Sequence, residues 1–230
     1  MISIITCTQR PVFMNQIFNN YIRQEVNDKE LIIILNQDNM DINEWNEEAK
    51  RYNNVFIYQL PEEYTLGRCM NYGIEKAHYN IIAKFDDDDY YASKYLKESV
   101  DALNNTDASI IGKSAAFIYF EEEKALTIYR ENKENKLYKF IKGGTLVFKK
   151  SVWNKVKFPD RVEGSDSHFL RRSWKLGYKI YSVSRYNYVC IRRKDTSTHT
   201  QKISTKEYMA KCKLVCHTDH YIPLITKDVE

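Results

Sequence analysis

Short apolar segments alternate with amphipathic stretches along the first hundred residues. The apolar segments predict strands at 2–6, 31–35, 55–58 and 81–85. The stretches between them predict helices at about 12–24, 43–51 and 66–77. The segment Leu31-Ile32-Ile33-Ile34-Leu35 is apolar at every position, as is typical of a strand covered on both faces. The pattern therefore predicts a parallel sheet of strand–helix–strand units, half of a nucleotide-binding α/β fold.

The second half of the chain has shorter strand-like pieces joined by polar turns. A helix is predicted at about 92–104, and strands follow at 114–121, 125–130 and 145–149. These strands indicate an antiparallel section attached to the parallel sheet. A further helix, capped by Ser165 and ended by Gly177, precedes strands predicted at 178–184 and 187–192.

No flexible linker divides this pattern. We expect a single domain over residues 1–200, with halves that meet near residue 100. Residues 201–230 are expected to form a helical tail, with a helix from Lys206 to Val215.

Composition narrows the class of protein without naming a function. A chain of 230 residues with 43% hydrophobic residues and 18 tyrosines is able to bury a substantial core. The formal charge of +4 is too small to indicate a nucleic-acid partner, although it is compatible with phosphate-bearing ligands. No nucleic-acid partner is therefore expected.

The cysteines and the first residues bear on location. Five cysteines at irregular spacing fit reduced thiols better than a disulfide framework. The chain begins without the features of a secretory signal, and no segment approaches the roughly 20 apolar residues of a membrane span. We expect a cytoplasmic protein, monomeric or homodimeric, for which peripheral membrane contact stays open.

An acidic segment, Asp86-Asp87-Asp88-Asp89, directly follows the apolar strand at 81–85. Ligands of open α/β sheets bind at the carboxyl ends of the strands, where these carboxylates would lie. Adjacent carboxylates repel one another unless a cation offsets their charge, and a hard divalent ion is the usual solution. The alternative is a hydrated acidic turn, which a position directly behind a buried strand makes less favourable.

These residues resemble glycosyltransferase family 2 over about residues 1–200. That family has the GT-A fold, a Rossmann-like, mostly parallel α/β sheet with an antiparallel acceptor-side section, and carries an Asp-x-Asp motif after the fourth strand. The resemblance implies that Asp88 is the direct ligand of a divalent metal, Mn²⁺ or Mg²⁺. Asp86 or Asp87 would then lie near the ribose or the metal's waters. Asp87-Asp88-Asp89 satisfies the same motif, so the register stays open by one residue.

The resemblance also implies a nucleotide-diphosphate sugar as donor, with UDP preferred over GDP or dTDP. The residues expected beside the donor lie at the end of the first strand, at the end of the second strand and at the start of the helix at 66–77. They are Thr6, Thr8 and Arg10; Asn36, Gln37 and Asp38; and Arg68 and Asn71. Asn36-Gln37 replaces the acidic pair that reads the base in similar proteins, which leaves the base open. For Arg68, a purely structural helix is nearly as good an interpretation.

Two further segments complete the implied site. Asp166, at the start of the helix after Glu163-Gly164-Ser165, matches the family's general base, which takes the acceptor's hydroxyl proton in an inverting transfer. The alternative is an Asp that merely stabilises a helix N-terminus. His199 matches a histidine that completes the metal site or touches the diphosphate. The basic segment Arg192-Arg193-Lys194 either binds phosphates or forms a solvated loop.

The glycine pair Gly143-Gly144 resembles a loop that lets substrate approach the backbone. The acceptor would be a glycan, a protein or a small molecule. Loops at 117–142 and 155–164 are expected to shape the pocket that binds it. Synthesis of a surface, spore or cell-wall glycan is one such role.

A cluster of cysteines and histidines near the C-terminus could imitate a zinc site. Its members are Cys212, Cys216, His217 and His220. The spacing matches no standard structural zinc pattern, so we favour thiols in a packed tail.

Two rival functions remain. A nucleotidyltransferase also uses an α/β sheet and acidic metal ligands, but no glycine-rich phosphate loop follows the first strand. A catalytically idle sugar-binding or assembly protein is the other alternative.

Overall fold

The structure is a computed structural model that describes residues 1–195 and 203–228 and contains two β-sheets with packed helices. The first seven strands are β1 Ile2–Thr8, β2 Lys29–Leu35, β3 Val55–Gln59, β4 Ile81–Lys84, β5 Tyr90–Tyr91, β6 Ile110–Gly112 and β7 Ala116–Phe120. The remaining strands are β8 Ala125–Tyr129, β9 Lys136–Leu137, β10 Val147–Lys149, β11 Ile180–Ser182, β12 Tyr188–Arg192 and β13 Cys212–His217.

The α-helices lie mainly between strands of the large sheet. They are α1 Met14–Ile22, α2 Ile42–Ala49, α3 Leu66–Lys76, α4 Tyr95–Asn105, α5 Lys150–Lys155, α6 Ser165–Lys175, α7 Thr205–Met209 and α8 Ile222–Ile225. Among the described residues, none of these helices has the length and apolar character needed to cross a bilayer.

The large sheet has the strand order β3-β2-β1-β4-β10-β6-β11-β9. Strands β3, β2, β1 and β4 are parallel, with Ile5 of β1 beside both Ile32 of β2 and Lys84 of β4. Residues 30–35 of β2 are buried because helices and loops cover both faces of the sheet. The predicted mostly parallel α/β fold is confirmed, and it brings the ends of β1, β2 and β4 to one edge.

The antiparallel section divides between two sheets. Strand β10 inserts antiparallel between β4 and β6. The hairpin β7–β8 instead belongs to a second sheet with the order β13-β8-β7-β12-β5. The prediction attached all these strands to the parallel sheet. The residues of β7 are buried throughout, so β7 is a central strand with a packed sheet of its own.

The C-terminal segment corrects the predicted helical tail. The helix expected from Lys206 to Val215 ends at Met209, and the strand Cys212–His217 follows it. This strand pairs antiparallel with β8, whose edge would otherwise leave backbone groups unpaired. Tertiary pairing thus overrides a helical sequence pattern. Ile225 of α8 is buried against the second sheet, so the tail packs on the domain itself.

Helix α3 fixes the segment that leads into α6. The amide oxygen of Asn71 accepts hydrogen bonds from Trp153 Nε1 (2.8 Å) and the Phe158 backbone nitrogen (3.1 Å). Its amide nitrogen donates to the Phe158 carbonyl (2.9 Å). One turn earlier, a Cβ on Gly67 would lie 1.8 Å from the Pro159 carbonyl oxygen. The backbone at 158–161 is therefore in direct contact with α3.

A substitution at Gly67 tests this contact. In an exposed helix, Gly→Ala stabilises by about 1 kcal/mol. We expect Gly67→Ala to lower the free energy of unfolding by about 1–3 kcal/mol instead, because the Pro159 backbone cannot move aside freely. Urea denaturation measures the change. Glu75→Ala, at an exposed position of the same helix, is the control and should stay within about 0.5 kcal/mol. A Gly67→Ala protein as stable as the control would disprove the close packing.

Candidate active site at the carboxyl edge of the large sheet

A polar pocket opens where the parallel strands end. The loop after β1, Asn36 after β2 and the acidic segment after β4 line one part of it. The start of α6, the loop before Gly143 and residues of β12 line the rest. The pocket thus joins both sheets, and it combines carboxylates with several cationic side chains.

The loop after β1 is bonded to the acidic segment. Thr8 Oγ1 donates to Asp87 Oδ2 (2.6 Å), and Arg10 Nε donates to the same oxygen (3.1 Å). Arg10 also forms an ion pair with Asp88 (3.0 Å). Burial and the neighbouring Asp88 charge raise the pKa of Asp87, and the Arg10 guanidinium opposes that rise. Asp87 therefore holds the β1 loop in place.

Asp88 lies between two arginines from distant parts of the chain. Besides Arg10, Arg193 Nη1 donates to Asp88 Oδ2 (2.6 Å) from the segment after β12. Burial alone would raise the pKa of Asp88, but the charges of Arg10 and Arg193 outweigh it and lower the pKa. Asp88 is consequently an ionised carboxylate at the pocket wall.

Asp89 points into the protein and is fully hydrogen-bonded. One carboxylate oxygen accepts from the Tyr188 hydroxyl, and the other accepts from the Ile191 backbone nitrogen (3.1 Å). Burial, followed by the charges of Asp88 and Asp86, raises the pKa of Asp89 to about 7. Because both oxygens have protein partners, this geometry favours Asp88 over Asp89 as the ligand-facing residue of the motif.

Lys84 joins the acidic segment to α6. Its ammonium, on a side chain only 4% exposed, forms ion pairs with Asp86 and with Asp166 (3.3 Å). Burial lowers the pKa of Lys84, but Asp166 and Asp86 raise it overall, so Lys84 stays charged. Burial raises the pKa of Asp166, and Lys84 opposes this rise. A buried cation thus holds two carboxylates of the pocket together.

The second oxygen of Asp166 has an unusual position. Asp166 Oδ1 is buried and has no hydrogen-bond partner among the described residues. A Cβ on Gly143 would lie 2.2 Å from Asp166 Oδ2, and one on Gly144 would lie 2.5 Å from Asp86 Oδ2. The glycine pair therefore provides the space that both carboxylates occupy. An unpaired buried acceptor in a pocket is available to a ligand hydroxyl.

The opposite wall contains residues that the sequence did not reveal as a group. They are Lys142, Cys190, Arg192 and Tyr208. Lys142 Nζ donates to the Tyr208 hydroxyl (3.2 Å), which α7 brings to the pocket. Arg192, predicted as an alternative phosphate ligand, lines the pocket, whereas Lys194 is exposed and pairs with Glu122 (3.1 Å). The position of Lys142 directly before the glycine pair was the available sequence signal.

Two of the predicted nucleotide-binding residues, Arg68 and Asn71, make contacts outside the pocket. Arg68 is exposed, and its guanidinium stacks on the Tyr64 ring at 3.5 Å. Asn71 uses its amide on Trp153 and Phe158, as described above. Neither side chain lines the pocket. In this structure both side chains make packing contacts, and a role of Arg68 and Asn71 in nucleotide binding stays a prediction.

The ends of β1 and β2 contribute only in part. Thr8, Arg10 and Asn36 line the pocket, and the Asn36 amide donates to the Pro61 carbonyl (2.6 Å). Thr6 is buried within β1 and does not reach the pocket. Gln37 and Asp38, which follow the end of β2, also lie outside the lining, and Asp38 accepts a hydrogen bond from the Glu62 backbone nitrogen (3.1 Å). His199 lies outside the described residues.

The donor chemistry of the pocket fits a hard divalent cation. Asp86 and Asp88 keep 35% and 14% of their side chains exposed, and carboxylate oxygens are the ligands that Mg²⁺ and Mn²⁺ prefer. In this conformation arginine and lysine offset their charge. Among the described residues, no three Asp, Glu, His or Cys side chains are arranged to hold a metal, either here or at Cys212 and Cys216.

Removal of the buried cation tests the electrostatics of the pocket. We expect Lys84→Met to lower the free energy of unfolding by about 3–5 kcal/mol at neutral pH, because two carboxylates lose their shared partner. The pKa of Asp166 is already raised in the folded protein, and the variant raises it further. Protonation on acidification then relieves the repulsion, so the difference from wild type should shrink as pH falls.

Chemical denaturation over a pH series measures this effect. Lys149→Met, which replaces an exposed lysine at the end of β10, is the control and should change stability by less than about 0.5 kcal/mol. A Lys84→Met deficit that is independent of pH would show that lost packing, and not charge, causes the destabilisation.

Comparison with known proteins places these features in a family. Residues 3–156 match the model of the glycosyl transferase family 2. The O-antigen biosynthesis glycosyltransferase WbnJ of Escherichia coli is 32% identical over 162 residues, which are 66% of this chain and 63% of WbnJ. The protein belongs to glycosyltransferase family 2, as the acidic segment and its strand predicted. The chain spans less than two thirds of the length of WbnJ.

Solved structures share the fold at low sequence identity. TarS of S. aureus in complex with UDP-GlcNAc has a TM-score of 0.66 and 14% identity, over 91% of this chain and 64% of that chain. The mannosyltransferase PcManGT of Pyrobaculum calidifontis, in complex with GDP-Man and Mn²⁺, has a TM-score of 0.64 and 14% identity, over 83% of this chain and 56% of that chain. These likenesses confirm the GT-A type of fold.

Proposed function

We propose that this protein is an inverting glycosyltransferase that moves a sugar from a nucleotide-diphosphate donor, with UDP as the preferred carrier, to an acceptor hydroxyl. One observation carries the proposal. The carboxylates of Asp86 and Asp88, after β4, and of Asp166, at the start of α6, meet in a single pocket of a family 2 chain. The complexes of TarS with UDP-GlcNAc and of PcManGT with GDP-Man support a nucleotide-sugar donor.

The donor would lie along the carboxyl edge of the large sheet. Thr8, Arg10 and Asn36 line the side of the pocket where β1 and β2 end, which suits a base and ribose. Lys142 and Arg192 line the other wall and offer positive charge to a diphosphate. The pocket is thus polar and cationic where the donor carries most of its negative charge.

Asp88 is the proposed metal ligand, with His199 as a second one. A Mn²⁺ or Mg²⁺ ion bound there would offset negative charge that develops on the leaving diphosphate. The complex of PcManGT with Mn²⁺ supports this part of the proposal. Arg10 and Arg193, which contact Asp88 in this structure, are the cations proposed to contact the phosphates beside that ion.

Asp166 is the proposed general base. Its carboxylate would accept the proton of the acceptor hydroxyl as that oxygen bonds to the anomeric carbon and the bond to the diphosphate breaks. Lys84 opposes the burial-driven rise in the pKa of Asp166 and fixes one of its oxygens, so the unpartnered Oδ1 is the one available to the acceptor. The products are the glycosylated acceptor with inverted configuration and a nucleoside diphosphate.

The acceptor is a hydroxyl of a glycan, a protein or a small molecule, and surface, spore or cell-wall glycan synthesis is the proposed context. Residues 1–200 form the proposed catalytic domain. A cytoplasmic location remains part of the proposal and is consistent with five free cysteines. A catalytically idle binding protein is the second candidate, favoured by the arginines that already offset the Asp88 charge.

Nucleotide binding is tested by thermal unfolding with UDP, GDP, dTDP or CDP, with and without Mn²⁺. Saturation at about a hundred times Kd stabilises by about 2.7 kcal/mol, which corresponds to about 5–10 °C for this size. We expect such a shift with UDP and Mn²⁺, and its loss in Asp88→Asn. Asp101→Asn, an exposed aspartate on α4, is the control and should keep the shift. A shift of equal size without metal would reject the metal ligand.

The role of Asp166 is tested by turnover of the nucleotide sugar. We expect Asp166→Asn to reduce kcat by about 10²–10⁴-fold while the metal-dependent shift with UDP persists, because a base acts in the transition state and not in donor binding. Release of nucleoside diphosphate and the anomeric configuration of the product are the measurements. Equal turnover by wild type and Asp166→Asn would assign the base elsewhere, and absent turnover in wild type with intact binding would favour the idle protein.

A further inference from the structure

The outer face of α6 has a concentration of positive charge that the proposed chemistry does not use. His168, Arg171, Arg172 and Lys175 follow the i, i+3, i+4, i+7 spacing that places side chains on one side of a helix. The opposite side packs inward through Phe169, Leu170 and Ser173. We define the α6 outer face as the four basic residues together with Trp174 and Leu176.

No carboxylate neutralises this face. In the described part of the chain, Arg171, Arg172 and Lys175 take part in no ion pair. Arg10 and Lys84 at the pocket, by contrast, pair with carboxylates. The one acidic residue of α6, Asp166, points into the pocket. Slight burial, followed by the charges of Arg161, Arg172, Arg171 and Lys175, lowers the pKa of His168, which shows how closely these cations lie.

Large apolar side chains border the cations. Trp174 is 43% exposed and Leu176 is 61% exposed, one on each side of the basic stripe. Val162, directly before α6, is 65% exposed and also lines the pocket. Cations that extend beside exposed tryptophan and leucine are the combination that binds at the headgroup level of an anionic bilayer. A soluble acidic polymer would use the charges and leave the apolar groups in water.

We propose that the α6 outer face docks the protein on an anionic membrane surface, with Trp174 inserted at the headgroup level. Each Lys or Arg beside such a surface contributes about a fivefold gain in partitioning. Since Ser165 and Asp166, at the start of α6, line the pocket, docking would place the pocket mouth next to the bilayer. This inference is independent of the proposed function, because membrane binding requires neither nucleotide nor metal.

Tryptophan fluorescence gives a direct readout. Trp45 and Trp153 are buried, with 0% and 4% exposure, so a change in emission on membrane binding reports mainly Trp174. We expect a blue shift with vesicles that contain phosphatidylglycerol, quenching by brominated acyl chains, and neither effect with phosphatidylcholine alone. Trp174→Phe should lose most of the shift while it still sediments with the anionic vesicles.

The contribution of the arginine charges to membrane binding is tested with two matched double variants. Arg171→Gln with Arg172→Gln should weaken binding to the anionic vesicles by about 25-fold, and higher salt should weaken binding by the wild type. Lys50→Gln with Arg51→Gln removes the same charge directly after α2, where both residues are ion-paired with glutamates of that helix, and should bind like wild type. Thermal unfolding without vesicles confirms that both variants are folded.

Three results would overturn the inference. Equal loss of binding in the two double variants would assign binding to net charge alone. Binding without any change in tryptophan emission would exclude Trp174 from the interface. Stronger competition by soluble polyphosphate than by phosphatidylglycerol vesicles at equal phosphate would identify an acidic polymer as the partner.

Discussion

The crowding of four carboxylates at the end of β4 is the constraint on which the rest of the site depends. Adjacent aspartates in a pocket repel one another, and each of them is stabilised differently. Asp87 is bonded to the β1 loop, Asp88 lies between two arginines, and Asp89 is enclosed by Tyr188 and the β12 backbone. The acidic segment is therefore the point at which both sheets are joined, as well as the centre of the pocket.

This division of labour explains why four consecutive aspartates are not equivalent. The carboxylates of Asp87 and Asp89 accept hydrogen bonds from other protein groups. The segment forms a turn at Asp87 and Asp88 and does not continue the strand, so its side chains point in different directions. Asp87 and Asp89 stabilise the architecture, whereas the side chains of Asp86 and Asp88 stay partly exposed at the pocket.

The parallel half of the fold was predictable because its strands are mostly apolar and its helices amphipathic. The acidic segment and Asp166 were predictable because their positions follow strand and helix boundaries. Features that depend on tertiary contacts were not predictable from the sequence. Lys206 to Val215 has a helical pattern, but the free edge of β8 recruits part of it as a strand. Asn71 has the right position in the sequence, yet Trp153 and Phe158 already occupy its amide.

Residues such as Lys84 and Tyr208 illustrate a further limit. Asp86, one partner of Lys84, is two residues away, but the other partner, Asp166, is far away in the sequence and gives no local sign. Tyr208 reaches the pocket only through the pairing of β13 with the second sheet. Local patterns identify candidate chemistry, whereas the neighbours that adjust that chemistry depend on the completed topology.

The long separation between the aspartates and their partners has a consequence for synthesis on the ribosome. Arg193 follows Asp88 by 105 positions, and Tyr188 follows Asp89 by 99. At about 5–20 residues per second, these partners leave the exit tunnel about 5–20 s after the acidic segment does. The nascent N-terminal half therefore exposes an acidic edge that only Arg10 and Lys84 offset, and the pocket is completed only after nearly the whole chain has been translated.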